Sequence, residues 1–170
     1  MKEITYFFQG PLSTWHKCDF IIDGIKFASM KQYLMYQKAT SFNDFDISEK
    51  ILKTSDPKQL KKLGKLVHKF DMAKWNNIAS SIMFRGNYYK FSQNKRLYDM
   101  LLNTAPSRLV EANPYDEWWG IGLDKDAALL ISEDAWPGLN VLGLVLTDLR
   151  DFFINEEHIR VGDSKPSDTH

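Results

Sequence analysis

Residues 19–39 read DFIIDGIKFASMKQYLMYQKA, and this stretch carries the two local signals that decide the fold class. Two short apolar runs flank Asp23-Gly24. A two-residue Asp-Gly loop between such runs predicts a β-hairpin, because both loop positions accept a positive φ. Ser29 and Gln32 then form a capping box, which predicts a helix running to about Ala39.

The elements outside this stretch follow from cap residues and apolar spacing. Helices are predicted to begin at Asp56-Pro57, at Asp71, before Leu97 and at Asn140, and strands are predicted over residues 4–8, 108–112 and 118–122. We therefore predict one helix-rich α+β domain over residues 1–155, with the small N-terminal sheet beside residues 108–122. Polar composition from Glu156 onward predicts a disordered tail over residues 156–170.

Composition excludes several classes of function. The chain has 170 residues, with 22 Lys and Arg against 22 Asp and Glu, which argues against binding driven by bulk charge. The single cysteine, Cys18, cannot form an intramolecular disulfide, and the four histidines are scattered, so no metal site is predicted. No apolar run reaches the roughly 20 residues of a membrane helix. The N-terminus lacks an apolar signal region. We expect a cytoplasmic protein with no membrane partner.

Two lysines on the helix after the hairpin are candidates for chemistry. Lys31 and Lys38 lie seven residues apart, nearly two turns, so they share one helix face. Apolar neighbours can lower the pKa of such an amine and make it a nucleophile. The alternative is two surface lysines whose stems lie along apolar side chains. Further lysines between residues 58 and 74 could grip phosphates, but a charge run of this kind is more often a solvated helix face.

The richest segment, residues 111–122, places carboxylates beside two tryptophans and a Gly-x-Gly. Trp119 offers a surface for a base or sugar, and Gly120 and Gly122 allow a ligand to approach the backbone. The alternative is a core tryptophan pair with turn glycines. Asn140, before the last helix, could hold a phosphate through free N–H groups, or be an ordinary cap.

Five elements in this order resemble the NADAR family, also called YbiA-like, from about Tyr6 to Phe153. They are Phe8–Trp15 with Gly10 and Ser13, Ile22-Asp23-Gly24, the helix segment Ser29–Ala39, Asp116–Gly122, and Asn140–Gly143 with Arg150. The resemblance implies an α+β fold and an ADP-ribosylhydrolase-type N-glycosidase. It also implies a substrate, either ADP-ribosylated guanine in DNA or a ribosylated riboflavin-pathway intermediate. ADP-ribose or another ribosyl nucleotide is the expected partner, and no cofactor is expected.

The resemblance also implies the site residues. Asp116 and Glu111 would stabilise positive charge at the anomeric carbon, and Lys38 could instead form a Schiff base with an opened ribose. The ligand is expected between the Ser29–Ala39 helix and the Asp116–Gly122 loop. The ligand-binding residues implied are Ser13, Trp15, Trp119, Gly120, Gly122 and Asn140.

Two positions depart from the family pattern. Lys31 stands where the family usually has a glutamate thought to be catalytic, and Thr14 stands where it usually has an asparagine. Lysine reverses the sign of the charge near a developing cation, so we predict ligand binding with slow turnover. The alternatives are a catalytically inactive ADP-ribose or nucleotide-binding protein, and a structural protein without a ligand.

Overall fold

A computed structural model of the chain describes residues 3–163 and contains helices and short strands in the proportions of a helix-rich α+β domain. This confirms the predicted fold class. The strands are β1 (Ile4–Phe7), β2 (Phe20–Ile22), β3 (Ile25–Phe27) and β4 (Arg108–Glu111). The helices are α1 (Met30–Ser41), α2 (Phe45–Leu52), α3 (Pro57–Lys65), α4 (Met72–Ser92), α5 (Lys95–Leu102), α6 (Lys125–Ala128) and α7 (Val141–Asp163).

The strands form two small sheets. β2 and β3 make the predicted antiparallel hairpin, and its loop residues Asp23 and Gly24 have φ of 51° and 78°. β1 pairs in parallel with β4, in a register that runs from Ile4 opposite Arg108 to Phe7 opposite Glu111. Both strands therefore end at the same edge, and the segments that follow them start side by side.

α4 is the central helix of the core, and it packs against both α1 and α7. Gly86 allows α4 to approach α1 closely, since a Cβ there would lie 2.5 Å from the ring of Tyr33. Ser29 caps α1 by accepting the N–H of Gln32. The Gln32 amide in turn donates to the carbonyls of Ile51 and Thr54, which fastens α1 to the segment after α2.

Three sequence-based expectations differ from the structure. Residues 117–120 and 122 form bends rather than a strand. The N–H of Ile121 donates to the carbonyl of Glu111, and the carbonyls of Trp118 and Trp119 accept N–H groups from residues 141 and 142, so no strand ladder forms. α2 was not predicted; it is eight residues long and buries only Ile47, Ser48 and Ile51.

The third difference concerns the end of the chain. Where a disordered tail was predicted from residue 156, α7 continues to Asp163, and the hydroxyl of Tyr98 donates to Glu157 on it. Residues 164–170 of that prediction lie outside the described residues. Within residues 3–163, no helix is long and apolar enough to cross a membrane.

Candidate functional site

A cavity of about 530 Å³ opens at the edge where β1 and β4 end. Its volume lies in the range typical of small-molecule sites. One wall is the segment after β1, the other is the segment after β4, and α1 and α3 supply lysines between them. The lining residues are Phe8, Gln9, Gly10, Ser13, Trp15, His16, Lys31, Lys61, Asn113, Tyr115 and Asp116.

The first wall is a tight loop, residues 10–16, held by backbone hydrogen bonds. Gly10 has a φ of 84°, which lets the chain turn so that the N–H of Ser13 donates to the Gly10 carbonyl at 2.9 Å. The N–H of Lys31 donates to the carbonyl of Thr14. The loop therefore rests on the first turn of α1, with Ser13 and Trp15 lining the cavity.

The second wall is residues 113–116, directly after Ala112. The Asn113 side chain accepts the N–H of Tyr115, which closes a short turn. Oδ1 of Asp116 accepts the N–H groups of Trp118 and Trp119 at 2.9 and 2.7 Å. These two bonds fix the orientation of the Asp116 carboxylate at the cavity surface.

Lys31 brings a positive charge into the cavity. Its Nζ lies 5.5 Å from the centre of the Trp15 ring, a distance typical of a cation–π contact. Burial lowers the pKa of Lys31 to about 8, although the nearby carboxylates of Asp116 and Glu111 act in the opposite direction. The ammonium is thus an electrostatic partner of both carboxylates named by the sequence analysis.

Glu111, the last residue of β4, is the most perturbed acid near the cavity. Its side chain is 5% exposed, and within the described chain its Oε2 has no hydrogen-bond partner. Burial raises the pKa of Glu111 to about 7, and Asp116 adds to this effect, while Asn113 and Lys31 oppose it. An acid with such a pKa can donate a proton at neutral pH.

The structure places Ser13, Trp15, Lys31 and Asp116 in the cavity lining. Glu111 lies behind that lining, close enough to interact electrostatically with Asp116 and Lys31, and Lys38 lies elsewhere. The Lys38 Nζ lies 4.2 Å from the centre of the Phe70 ring, outside the cavity lining, where burial lowers its pKa. Lys38 lies seven residues after Lys31 on α1, and its side chain therefore contacts other residues than those of the cavity. The shared helix face therefore does not produce a shared site.

The remaining predicted residues belong to residues 118–140, the closing loop, which lies outside the cavity lining. The N–H groups of Gly122 and Asn140 donate to the carbonyls of Asp116 and Gly120 at 3.1 and 3.0 Å. These two N–H groups are therefore already hydrogen-bonded, which disfavours the expectation that they hold a phosphate. Trp119 is half-buried and packs against the main core.

Asn140 acts on the backbone of β4. With a φ of 54°, its side chain accepts the N–H of Glu111 and donates to the carbonyl of Leu109. Gly138 shows how tightly the loop is closed, since a Cβ there would lie 2.3 Å from the Gly120 carbonyl oxygen. The side chain of Asn140 therefore fixes the backbone of β4 at Glu111.

Sequence reasoning missed several lining residues, among them Phe8, His16 and Tyr115. Phe8 and Tyr115 follow the two parallel strands, and their ring centres lie 6.4 Å apart. Parallel pairing of residues 4–8 with 108–112 would have pointed to the segments after both strands, but the sequence alone does not fix that pairing. Of the lysines between residues 58 and 74, Lys61 lines the cavity.

Comparisons with known proteins agree with this architecture. A family model described as the NADAR domain matches residues 6–153. The chain is 40% identical over 144 residues to "N-glycosidase R617" of Acanthamoeba polyphaga mimivirus, covering 82% of this chain and 85% of that protein. It is 28% identical over 156 residues to "Riboflavin biosynthesis protein VVA0006" of Vibrio vulnificus, covering 89% of this chain and 39% of that protein. The NMR structure of the Escherichia coli protein YbiA superimposes with a TM-score of 0.77 at 25% identity, covering 99% of this chain and 92% of that one.

Proposed function

The chain belongs to the NADAR family, and we propose that it is an N-glycosidase that cleaves a ribosyl N-glycosidic bond in the cavity between residues 10–16 and 113–116. The candidate substrates are ADP-ribosylated guanine in DNA and a ribosylated riboflavin-pathway intermediate. The relative named N-glycosidase R617 supports the reaction class, and the relative named as a riboflavin biosynthesis protein supports the second substrate.

The observation that carries the proposal is the environment of Glu111, beside the cavity residues Asp116 and Lys31. Glu111 is a buried acid whose pKa is raised to about 7, and one of its oxygens has no hydrogen-bond partner in the described part of the chain. Cleavage of an N-glycosidic bond requires protonation of the leaving nitrogen. General acids work best when their pKa lies near the operating pH. Glu111 meets this requirement, and the Asp116 carboxylate supplies negative charge where the sugar becomes positive.

The step balances with water as the nucleophile. The bond between the anomeric carbon and nitrogen breaks, and its electron pair stays on the nitrogen, which takes the proton of Glu111. A water oxygen bonds to the anomeric carbon and loses its proton, which restores protonated Glu111. The position of Lys38 over Phe70 does not favour the alternative Schiff-base route through that amine.

Lys31 favours a second candidate function, a protein that binds ADP-ribose or a nucleotide without turning it over. Its ammonium lies where positive charge would develop, and two like charges about 4 Å apart repel by several kcal/mol at an effective dielectric near 20. The Asp116 and Glu111 carboxylates offset part of this repulsion. We propose slow turnover rather than complete inactivity.

Two measurements on the full chain separate these functions. The first is release of ADP-ribose from an ADP-ribosylated guanine oligonucleotide, with enzyme in excess so that slow turnover is visible. The second is thermal stabilisation by ADP-ribose, which at 100 times the dissociation constant adds about 2.7 kcal/mol. Release abolished by Glu111→Gln supports the enzyme, and stabilisation without release supports the binding protein. If ADP-ribose is neither released nor stabilises the protein, both candidate functions are contradicted.

A further inference from the structure

Lys90, on α4, is a buried lysine that the proposed reaction does not use. The residue is 0% exposed, and within residues 3–163 no carboxylate lies within ion-pair distance of its Nζ. Burial lowers its pKa to about 8. A buried charge without a counter-ion is unfavourable, and an apolar side chain of similar size would avoid this penalty.

The Lys90 ammonium bonds to the loop that forms the first cavity wall. Its Nζ lies 2.7 Å from the carbonyl oxygen of Pro11 and 3.1 Å from that of Ser13. The Lys90 Nζ also lies 4.9 Å from the centre of the Phe91 ring. Both hydrogen bonds thus join α4 to residues 10–16.

The same loop presents groups to the cavity on its other side. The Ser13 side chain lines the cavity, and its hydroxyl accepts the N–H of Trp15 at 3.2 Å. The carbonyl of Thr14 is held by the N–H of Lys31. Two elements therefore hold the loop by hydrogen bonds: α4 through the Lys90 ammonium, and the start of α1 through the N–H of Lys31.

We propose that Lys90 is a positioning residue, which holds the carbonyls of Pro11 and Ser13 so that Ser13 and Trp15 face the ligand. The proposal rests on the proposed function, in that the cavity is taken as the ligand site. An ammonium suits this task because it carries several donors that can reach two carbonyls at once. The titratable groups that interact electrostatically with Lys90 are His16 and Cys18, and neither of them is a carboxylate.

The test compares Lys90→Met and Lys90→Arg with Leu101→Ala, a buried core change in α5. The measured quantities are hydrogen exchange of the Ser13 and His16 amides, which bond within the loop, and the affinity for ADP-ribose. We expect Lys90→Met to speed that exchange and to weaken binding about tenfold or more, since hydrogen bonds from a charged group are lost. Lys90→Arg should recover part of both effects. Leu101→Ala should leave the affinity for ADP-ribose unchanged. It should speed exchange of the loop amides no more than it speeds exchange of the core amides.

The proposal is overturned if exchange of the loop amides is unchanged in Lys90→Met. It is also overturned if that exchange speeds up only as much as exchange of the core amides, as expected for Leu101→Ala. If the wild-type chain does not bind ADP-ribose, the ligand assignment fails, but the exchange of the loop amides still tests Lys90. If Lys90→Met does not fold, NMR of the wild-type Lys90 ammonium decides. Coupling of its ¹⁵Nζ to the Pro11 and Ser13 carbonyl carbons is expected, and rapid exchange without coupling would contradict it.

Discussion

The cavity wall (residues 10–16 and 113–116) and the closing loop (residues 118–140) adjoin at Asp116, yet they use their polar groups differently. In the closing loop, the N–H groups of Gly122, Gly138 and Asn140 all donate to carbonyls of the same neighbourhood. Behind the cavity wall, one oxygen of Glu111 has no hydrogen-bond partner among residues 3–163, and the half-buried side chain of Lys31 lines the cavity.

This difference distinguishes a scaffold from a site. Satisfied backbone groups cannot recognise a ligand without first breaking a hydrogen bond, whereas an unpartnered buried oxygen can accept or donate one at no such cost. Ionisable groups with shifted pKa values also concentrate at functional sites. Changes in the cavity wall should therefore affect binding and turnover, and changes in the closing loop should affect stability.

The largest expected effect is that of Glu111→Gln on turnover. The amide cannot deliver a proton to the leaving nitrogen, and loss of a general acid lowers rates by about 100-fold or more. Release of ADP-ribose in single-turnover assays measures this, with Glu117→Gln, an exposed neighbour, as the matched control. Equal rates for the wild type and Glu111→Gln would remove this residue from the chemistry.

The wild type should lose stability relative to the same variant as pH rises. Because the pKa of Glu111 is raised to about 7, the folded state holds its proton more tightly than the unfolded state does. That contribution is complete below about pH 4.5 and is lost as pH rises through about 7, which amounts to on the order of 3 kcal/mol. Glutamine does not titrate, so urea unfolding should show that Glu111→Gln is the more stable protein at pH 8. A wild type that is the more stable at pH 8 would contradict the shift.

Asn140→Ala should lower stability. It removes the side-chain bonds to the Glu111 N–H and the Leu109 carbonyl and leaves both buried groups unpaired. We expect a loss of about 2–4 kcal/mol in the free energy of unfolding, measured by urea titration. Asn140→Asp keeps the acceptor and should lose less. If Asn140→Ala unfolds like the wild type but loses ADP-ribose binding, the closing loop is part of the site after all.

Trp15→Ala should weaken ADP-ribose binding by about 1–3 kcal/mol, if the ring stacks on a base or sugar. Trp119→Ala is the matched comparison, because the sequence favoured Trp119 as the ligand surface but its ring packs against the core. Calorimetric titration should show weakened binding for Trp15→Ala and unchanged affinity for Trp119→Ala. The reverse pattern would contradict the assignment of the cavity.

The smallest expected effect is a gain of turnover in Lys31→Glu. Replacing the ammonium by a carboxylate reverses the charge near the developing cation, and about 1.4 kcal/mol already gives a tenfold increase in rate. Lys38→Glu, on the same helix but over Phe70, should leave the rate unchanged. Equal rates for Lys31→Glu and the wild type would show that residue 31 does not act in the chemistry.

Local signals in the sequence predict much of this fold. The Asp23-Gly24 hairpin and the caps at Ser29, Asp56 and Asp71 depend on neighbours within a few residues, and the structure contains each of them. These elements need no tertiary information, because a positive φ or a capping oxygen is specified by the residue itself.

The site is harder to predict, because its residues meet through tertiary contacts. The sequence places Lys31 and Lys38 on one face of the same helix, but of the two only Lys31 reaches the edge where the parallel strands end. Trp119 and Gly122 have the composition of a ligand loop. The N–H of Gly122, however, donates to the Asp116 carbonyl, and the carbonyl of Trp119 accepts the N–H of Leu142. The number of free donors and acceptors in a segment depends on which segments it meets.

The most direct test of the account is the set of backbone amide shifts that ADP-ribose produces in the NMR spectrum of the full chain. We predict that the affected amides cluster in residues 8–16, at Lys31 and in residues 113–116, with the closing loop unaffected beyond Trp118. Shifts centred on Gly120, Gly122 and Asn140, or no shifts at all, would contradict the claim that the cavity is the ligand site.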